Sequence, residues 1–479
     1  MTRTVHLRHW QKAALDRFVA SPKRDFLAVA TPGAGKTTFA LTAARHELGA
    51  RPARLVVVAP TAHLKQQWAR AASAFSLHLD PAWTPSDGLP ADMHGIVTSY
   101  HQVATNAPML ARLARDAFVV LDEIHHAGED RAWGESIRTA FEGAARRLAL
   151  SGTPFRSDTC AIPFVTYVGD QAVPDYEYGY GDALDDGRVV RPVFFPATNG
   201  HMEWTSPDGT LRSATFDDAL DGSLTSQRLR TALSLEGEWL PTVLRAANTR
   251  LQAVRREQPD AAGLVIAIDR EHARGIAALL RRLGTSVRLV TSDDPHASAE
   301  IAQFATSSDP WLVAVRMVSE GVDIPRLRVG VYATTTATEL FFRQAVGRLV
   351  RWTRGITRQR AWLFIPDDPR LRRHAVGIAE QRRHSLRRDD RDREPEEDAR
   401  EPQAADDVAE QMSLFAVISA IATAREEPLD DPFDDLPDDA GLDAADDHFE
   451  LTLAPPPPLS GAGHSADGLQ TLTRREEKQ

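Results

Sequence analysis

The sequence predicts an α/β protein with two parallel-sheet domains and a disordered acidic C-terminal tail. Short apolar runs, each followed by a helix-length stretch, recur at residues 26–29, 54–59, 95–98, 117–121 and 147–150, which is the pattern of a parallel sheet wound with helices. The same alternation resumes at 263–268, 287–291, 311–315, 329–333 and 361–365. Residues 389–450 then hold 23 Asp/Glu against four Arg, a stretch with too little apolar surface to order itself.

Taken in order, residues 1–195 form the first α/β domain. Residues 196–240 read as a linker with a short irregular element, because Pro, Gly and Asp cluster there around the turn Ser206-Pro207-Asp208-Gly209. Residues 241–370 form the second α/β domain, 371–393 an arginine-crowded helix, and 394–479 an acidic, mostly disordered tail in which Pro455 to Pro458 is extended. The helix either adds a track for phosphates or meets the acidic tail.

Composition narrows the chemistry. The chain's net charge of −11 is concentrated in the tail, and the remainder is net positive by about 8, which suits a polyanionic ligand. Cys160 is the one cysteine, so disulfides, Fe–S clusters and cysteine-type zinc sites within the chain are excluded. None of the sixteen His, the pair His125-His126 included, has a partner at a ligand spacing, so a metal is expected to arrive with a nucleotide. No apolar run reaches the length of a membrane span and the N-terminus lacks the apolar core of a signal peptide, so a cytoplasmic location with no membrane partner is expected.

The stretch around which the chain is organised is Ala30-Thr31-Pro32-Gly33-Ala34-Gly35-Lys36-Thr37-Thr38, between an apolar run and a helix-prone run. A strand that ends in a Gly-rich turn frees backbone N–H groups to surround a polyphosphate, and the following helix adds the positive end of its dipole. Gly33 and Gly35 permit the turn, Lys36 reaches the outer phosphates, and the Thr37 hydroxyl sits on Mg²⁺. Ala30 stands where this pattern usually has glycine. After the run 117–121 come Asp122 and Glu123; beside a phosphate loop, the first suits Mg²⁺ and the second suits taking a proton from attacking water.

With these blocks the chain resembles the superfamily 2 helicases of DExH type. Leu7-Arg8-His9-Trp10-Gln11 resembles the adenine-reading Q motif, the loop the Walker A motif, Ala59-Pro60-Thr61 through Trp68 motif Ia, and Val97-Thr98-Ser99-Tyr100 motif Ib. Asp122-Glu123-Ile124-His125 is similar to motif II and Ser151-Gly152-Thr153-Pro154-Phe155-Arg156 to motif III. Residues 263–269 with His272-Ala273 are similar to motif IV, Ser319-Glu320-Gly321-Val322-Asp323-Ile324-Pro325 to motif V, and Gln344-Ala345-Val346-Gly347-Arg348-Leu349-Val350-Arg351 to motif VI. The resemblance covers about residues 1–366 and implies two RecA-like lobes with ATP between them. It further implies that Gln11 reads adenine, that Thr38 belongs to the nucleotide site, and that Gly321 and Asp323 lie near the ribose and the hinge. Gln344 would position water or phosphate, with Arg348 and Arg351 facing the phosphates from the second lobe. His125, Ser151 and Thr153 would link the nucleotide to a nucleic acid held at Thr61, Thr98 and Ser99; Tyr100, His101 and Trp68 either stack on bases or belong to the core.

In the tail, Gln411-Met412-Ser413-Leu414-Phe415 resembles the bacterial sliding-clamp-binding peptide, with Gln411, Leu414 and Phe415 as anchors. It begins a segment, 410–422, whose apolar run Val417, Ile418 and Ile421 would otherwise be an amphipathic helix folded back on the second lobe. The resemblance implies an ATP-dependent, Mg²⁺-using motor acting on single-stranded or forked DNA. The alternatives are an ATP-switched binding or assembly factor, a motor subunit of a restriction or defence complex, and an RNA helicase. Removing residues 389–479 is expected to tighten non-specific DNA binding.

Overall fold

The computed structural model describes residues 3–51, 53–86, 88, 92–128, 131–153, 161–169, 171–291, 296–315, 324–356, 359–388, 416–423 and 449–453. The first lobe opens with β1 (Arg3–Leu7), α1 (His9–Ala20), β2 (Asp25–Ala30), α2 (Lys36–Ala50), β3 (Leu55–Ala59), α3 (Ala62–Ala74), β4 (Leu79–Asp80), β5 (Gly95–Ser99) and α4 (Tyr100–Leu113). It continues with β6 (Phe118–Leu121), a 3₁₀ turn (Ile124–Gly128), α5 (Arg131–Phe141), β7 (Arg146–Ser151), the hairpin β8 (Tyr167–Val168) and β9 (Gln171–Ala172), then β10 (Tyr176–Tyr178) and α6 (Tyr180–Asp185). Seven of these strands form one parallel sheet in the order β10-β2-β7-β6-β3-β5-β4. Its strands are apolar on both faces because helices cover both: Phe26, Ala28 and Ala30 enter one core, Leu27 and Val29 another.

The second lobe holds β11 (Val193–Phe194), β12 (Ala197–Thr205), β13 (Leu211–Thr215), α7 (Gly222–Ala232), α8 (Trp239–Glu257), β14 (Ala262–Ala267), α9 (Arg270–Arg282), β15 (Val287–Val290) and α10 (Ala297–Thr306). It is completed by β16 (Trp311–Val315), β17 (Leu327–Ala333), α11 (Glu339–Leu349), β18 (Ala361–Pro366) and α12 (Pro369–Arg388). Strands β18-β17-β14-β16-β15 run parallel, again with residues such as Leu264 and Val265 entering opposite cores. One continuous apolar core reaches from the first lobe through Tyr178, Tyr180, Val190 and Phe195 into the second.

Two regions differ from the sequence expectation. Residues 196–240 are not a plain linker: β12 joins β18 in parallel at Ala197 and Thr198, then peels away to pair antiparallel with β13. Pro207, Asp208 and Gly209 make the hairpin turn of that pair, and Trp204 and Met202 are buried beneath it. In the tail, β19 (Ala416–Thr423) pairs antiparallel with β12, and β20 (Phe449–Leu453) pairs antiparallel with β1. The 416–423 run is therefore a strand rather than an amphipathic helix. Its β-branched content favours extension, and β12 offers a free edge to complete. Gly200 and Gly237 make room for it, since a Cβ on Gly200 would lie 2.6 Å from the Ile421 carbonyl oxygen and one on Gly237 2.7 Å from Ala420 Cβ. Glu238 N–H donates to the Ala420 carbonyl, which leaves the Ala420 side chain in the core.

Three arginines of α12 are engaged by the fold itself. Arg370 pairs with buried Asp368, Arg372 with buried Asp367, and Arg382 donates to the Val193 carbonyl while lying over the Phe194 ring. Among the described residues no helix is long and apolar enough to cross a membrane. Gly200→Ala is expected to crowd β19 off β12 and to cost about 1–3 kcal/mol, the usual range for overpacking; thermal melting and faster amide exchange at residues 419–422 would register it.

Candidate functional site

Strand β2 delivers Ala30 to the sheet's carboxyl edge, and the chain turns through Gly33 (φ 89°) and Gly35 (φ 95°) before α2 starts at Lys36. Both φ values lie in the left-handed region, which favours glycine. Ala30 serves where glycine is usual because only its backbone is used: its carbonyl accepts from Lys36 Nζ at 3.4 Å, and its side chain is buried. Gly35 caps α2 with no side-chain bond, and a helix start left uncapped in this way, at Lys36 and Thr37, fits an anion. Thr38 N–H closes back on the Gly35 carbonyl.

The first turn of α1 and its N-cap residue Arg8 brace this loop. Trp10 Nε1 donates to the Ala34 carbonyl at 3.1 Å, Arg8 Nη1 to the same carbonyl at 3.2 Å, and Gln11 Nε2 to the Gly35 carbonyl at 2.9 Å. Gln11 Oε1 accepts the Arg8 N–H at 2.8 Å. Both ends of the Gln11 amide are thus engaged by the chain's own backbone.

Because β7 lies between β2 and β6, the ends of all three strands converge. Asp122 and Glu123 follow β6, and Glu123 stands at φ 49°, an unusual backbone for a non-glycine residue that turns its carboxylate toward the loop. Glu123 Oε1 lies 3.1 Å from Lys36 Nζ, and Oε2 accepts the Gly152 N–H at 2.9 Å. Burial alone would raise the Glu123 pKa, but Lys36, His125 and the Gly152 N–H outweigh it and hold the carboxylate ionised. Asp122 moves the other way: burial and then the charge of Glu123 push it above the usual carboxylate range, against the opposing pull of Lys36 and the Trp68 N–H. Buried Asp122 and half-buried Glu123 beside one ammonium, with the Thr37 hydroxyl opening α2, form a hard-oxygen donor set that fits Mg²⁺.

A relay of side chains leads from this pair to the second lobe. The Gln344 amide nitrogen lies 3.1 Å from His125 Nε2, and since an amide nitrogen only donates, that ring nitrogen accepts. His125 Nδ1 then carries its hydrogen toward Ser151 Oγ at 3.2 Å, and Ser151 donates to the Thr153 carbonyl at 2.8 Å. Across the cleft Gly347 meets Pro32 so closely that a Cβ on Gly347 would lie 2.6 Å from Pro32 Cγ. Arg351 runs along Gly33, where an added Cβ would be 3.1 Å from Arg351 Cδ. Arg348 lies on the same α11 turn as Gln344, half-buried. A cavity of about 120 Å³ at this junction is lined by Arg8, Gly33, Arg188, Pro325, Arg351 and Arg354. Gly321 and Asp323 lie outside the described residues, as do Gln411, Leu414 and Phe415.

Sequence reasoning missed one anchor of the junction, Arg191. It is fully buried between the lobes, donating to the Pro325 carbonyl at 2.8 Å, the Leu327 carbonyl at 3.2 Å and Thr353 Oγ1 at 3.1 Å. Val190 bridges to Arg351, so this connecting strand fixes where the second lobe's arginine enters the cleft.

At the expected nucleic-acid face, Thr61 caps α3 and Ser99 caps α4. Thr98 is fully buried and its hydroxyl donates to Gln102 Oε1, which removes that hydroxyl as a direct contact. Trp68 and Tyr100 are core residues, not stacking platforms: both are at most 2% exposed, and both reach Asp122. His101 is exposed.

Residues 4–156 match the family model of the type III restriction enzyme, res subunit. Among proteins, the chain is 48% identical over 397 residues to uncharacterized protein Rv2917 of Mycobacterium tuberculosis and 46% identical over 391 residues to uncharacterized protein ML1624 of Mycobacterium leprae. Those alignments take in 81% and 79% of this chain, which spans 65% of the length of each relative. Among solved structures it is similar to a fragment described as an HsdR subunit of a type I restriction enzyme from Vibrio vulnificus, with a TM-score of 0.55 and 19% identity over 76% of this chain and 65% of that one. It is also similar to the DNA-bound Type ISP restriction-modification enzyme LlaBIII, with a TM-score of 0.52 and 13% identity over 80% of this chain and 29% of that one.

The raised pKa of Asp122 makes it a cost to the fold whenever it is ionised. Asp122→Asn is expected to raise stability near pH 7.5 by about 1 kcal/mol. That advantage should shrink as pH falls through the Asp122 pKa, because the native protein then protonates the wild-type carboxyl by itself; paired thermal melts across pH would show it.

Proposed function

We propose that this chain, a superfamily 2 DExH/DEAD-like helicase in motif order, matched domain and two-lobed fold, is an ATP-dependent motor that moves on or remodels DNA. The observation that carries the reading is the closed junction itself. The phosphate loop, the Asp122/Glu123 pair and the motif VI helix meet at one place, with Gln344 on His125 and Arg351 along Gly33. Catalysis of phosphoryl transfer is largely positioning and charge stabilisation, and here the groups for it come from both lobes.

The loop amides and Lys36 hold the phosphates. Mg²⁺ at Asp122 and Thr37 would supply charge neutralisation on the phosphate oxygens. Glu123 is poised by its pairing with Lys36: as Lys36 moves onto phosphate, Glu123 loses its strongest stabilising charge, its proton affinity rises, and it can accept a proton from water. Arg348 and Arg351 neutralise charge on the transferred group only while the lobes are together. Closure and hydrolysis are thereby coupled, and opening after hydrolysis changes the grip on DNA. The matched restriction-enzyme family supports DNA as the track and membership of a restriction or defence assembly as the setting.

The test is the ATPase rate of the full chain alone and with single-stranded DNA, duplex DNA and RNA. Stimulation of tenfold or more by a DNA is expected; stimulation by RNA alone, or by no polymer, rejects the reading. Lys36→Ala should lower turnover at least 100-fold. Glu123→Gln should lower it by about 10²–10⁴ while ATP still binds and DNA is retained, and near-normal turnover would remove Glu123 as base.

The acidic tail is proposed to compete with DNA phosphates for the basic body. Because β19 and β20 belong to the fold, charge neutralisation is the cleaner test than deletion. Changing the Asp and Glu of 426–447 to Asn and Gln should tighten non-specific DNA binding at low salt and leave it unchanged at high salt. Docking on a sliding clamp through Gln411, Leu414 and Phe415 is a separate proposal, checked by whether Leu414→Ala with Phe415→Ala abolishes saturable clamp binding.

A further inference from the structure

Asp122 is held from two sides by aromatic residues that begin in the expected nucleic-acid segments. Trp68 Nε1 donates to Asp122 Oδ2 at 2.8 Å, and Tyr100 Oη donates to the Asp122 main-chain carbonyl at 2.8 Å. Both donors are buried, and a buried indole N–H or phenol O–H needs a partner. The bond to the carboxylate is charge-assisted, so it fixes the rotamer as well as the charge.

The helices that carry these donors are joined to each other and to the candidate contacts. Thr61 accepts from Leu64 N–H at the start of α3, and Trp68 stands two turns further on the same face. Ser99 accepts from Gln102 N–H at the start of α4, immediately before Tyr100. Lys65 Nζ donates to Gln102 Oε1 at 2.8 Å and ties α3 to α4. The starts of both helices are thus linked to Asp122 through one short, packed path.

We infer that Trp68 and Tyr100 are positioning residues that set Asp122 for Mg²⁺ according to what the starts of α3 and α4 hold. The inference rests on the nucleotide reading above. It makes polynucleotide binding and the Mg²⁺ requirement two sides of one coupling, and such a coupling is reciprocal.

The experiment titrates Mg²⁺ against binding of a fluorescent ATP analogue to the full chain, with and without a single-stranded DNA oligonucleotide, and repeats the binding in EDTA. Trp68→Phe keeps the aromatic bulk and loses the N–H; Tyr100→Phe loses only the hydroxyl. Each is expected to raise the Mg²⁺ concentration for half-saturation about tenfold, the lower end of what orienting partners of metal ligands contribute. Affinity in EDTA should stay within about twofold, which a general loosening of the fold would not allow. The oligonucleotide should lower the wild-type Mg²⁺ requirement and have little effect in the variants. If Trp68→Phe fails to fold, Tyr100→Phe carries the test. Unchanged Mg²⁺ half-saturation in a folded variant that binds the analogue overturns the inference alone; a wild-type chain that binds no analogue overturns the nucleotide reading and this inference with it.

Discussion

Three parallel strands that end side by side, β2, β7 and β6, are the constraint on which the rest depends. Each contributes one kind of group to the shared edge: a Gly-rich loop with its lysine, a hydroxyl and amide turn, and a carboxylate pair. In the first lobe the Gly-rich loop, the carboxylate pair and Gly152 each follow directly on the end of one of these strands, so sheet register brings them to one place. The apolar residues on both faces of these strands look at first like packing alone, yet they place Gly152 N–H on Glu123 and Lys36 within reach of both.

The charges at that edge are arranged in opposition. Glu123, half-buried, is held ionised while its buried neighbour Asp122 is driven toward protonation. The difference comes from surroundings: Asp122 is buried beside the charge of Glu123, with Lys36 and one indole N–H opposing, whereas Glu123 pairs with Lys36 directly and accepts a backbone N–H. A site built this way stores unfavourable electrostatics, and residues that work against stability commonly sit together where function asks for them. The lobes meet over the same point through Pro32 and Gly347, where a side chain larger than hydrogen would keep them apart.

Much of this was legible in the sequence. Buried parallel strands are short apolar runs, so the ten main strands fall close to the predicted stretches, with ends shifted by one or two residues. The Gly-rich loop and the acidic pair announced their meeting in their letters, Lys36 lying 3.1 Å from Glu123. Gln11 did not, because its residue type cannot say whether its amide meets a base or a backbone. Trp68 and Tyr100 were ambiguous for the same reason, and only the fold shows that their polar ends converge on Asp122. Arg191 gave no signal, since a lone arginine in a connecting stretch usually faces solvent. The tail misled through composition: the acidic average hid two short strands. One had a local signal, as Phe449, Leu451 and Leu453 alternate with polar residues, but an alternating pentapeptide only becomes a strand where an edge awaits it.

That edge belongs to β1, whose Leu7 is buried and whose chain continues directly into Arg8 and Gln11. Residues 3–7 emerge from the ribosome long before residues 449–453, at ordinary synthesis rates by roughly half a minute or more. Throughout that interval the strand leading into the phosphate-loop brace has an open side, and the second lobe is made in full before the first is complete. Formation of the β1–β20 pair is therefore a late event in the biogenesis of the chain, and the brace on the nucleotide loop reaches its final support only when the tail arrives.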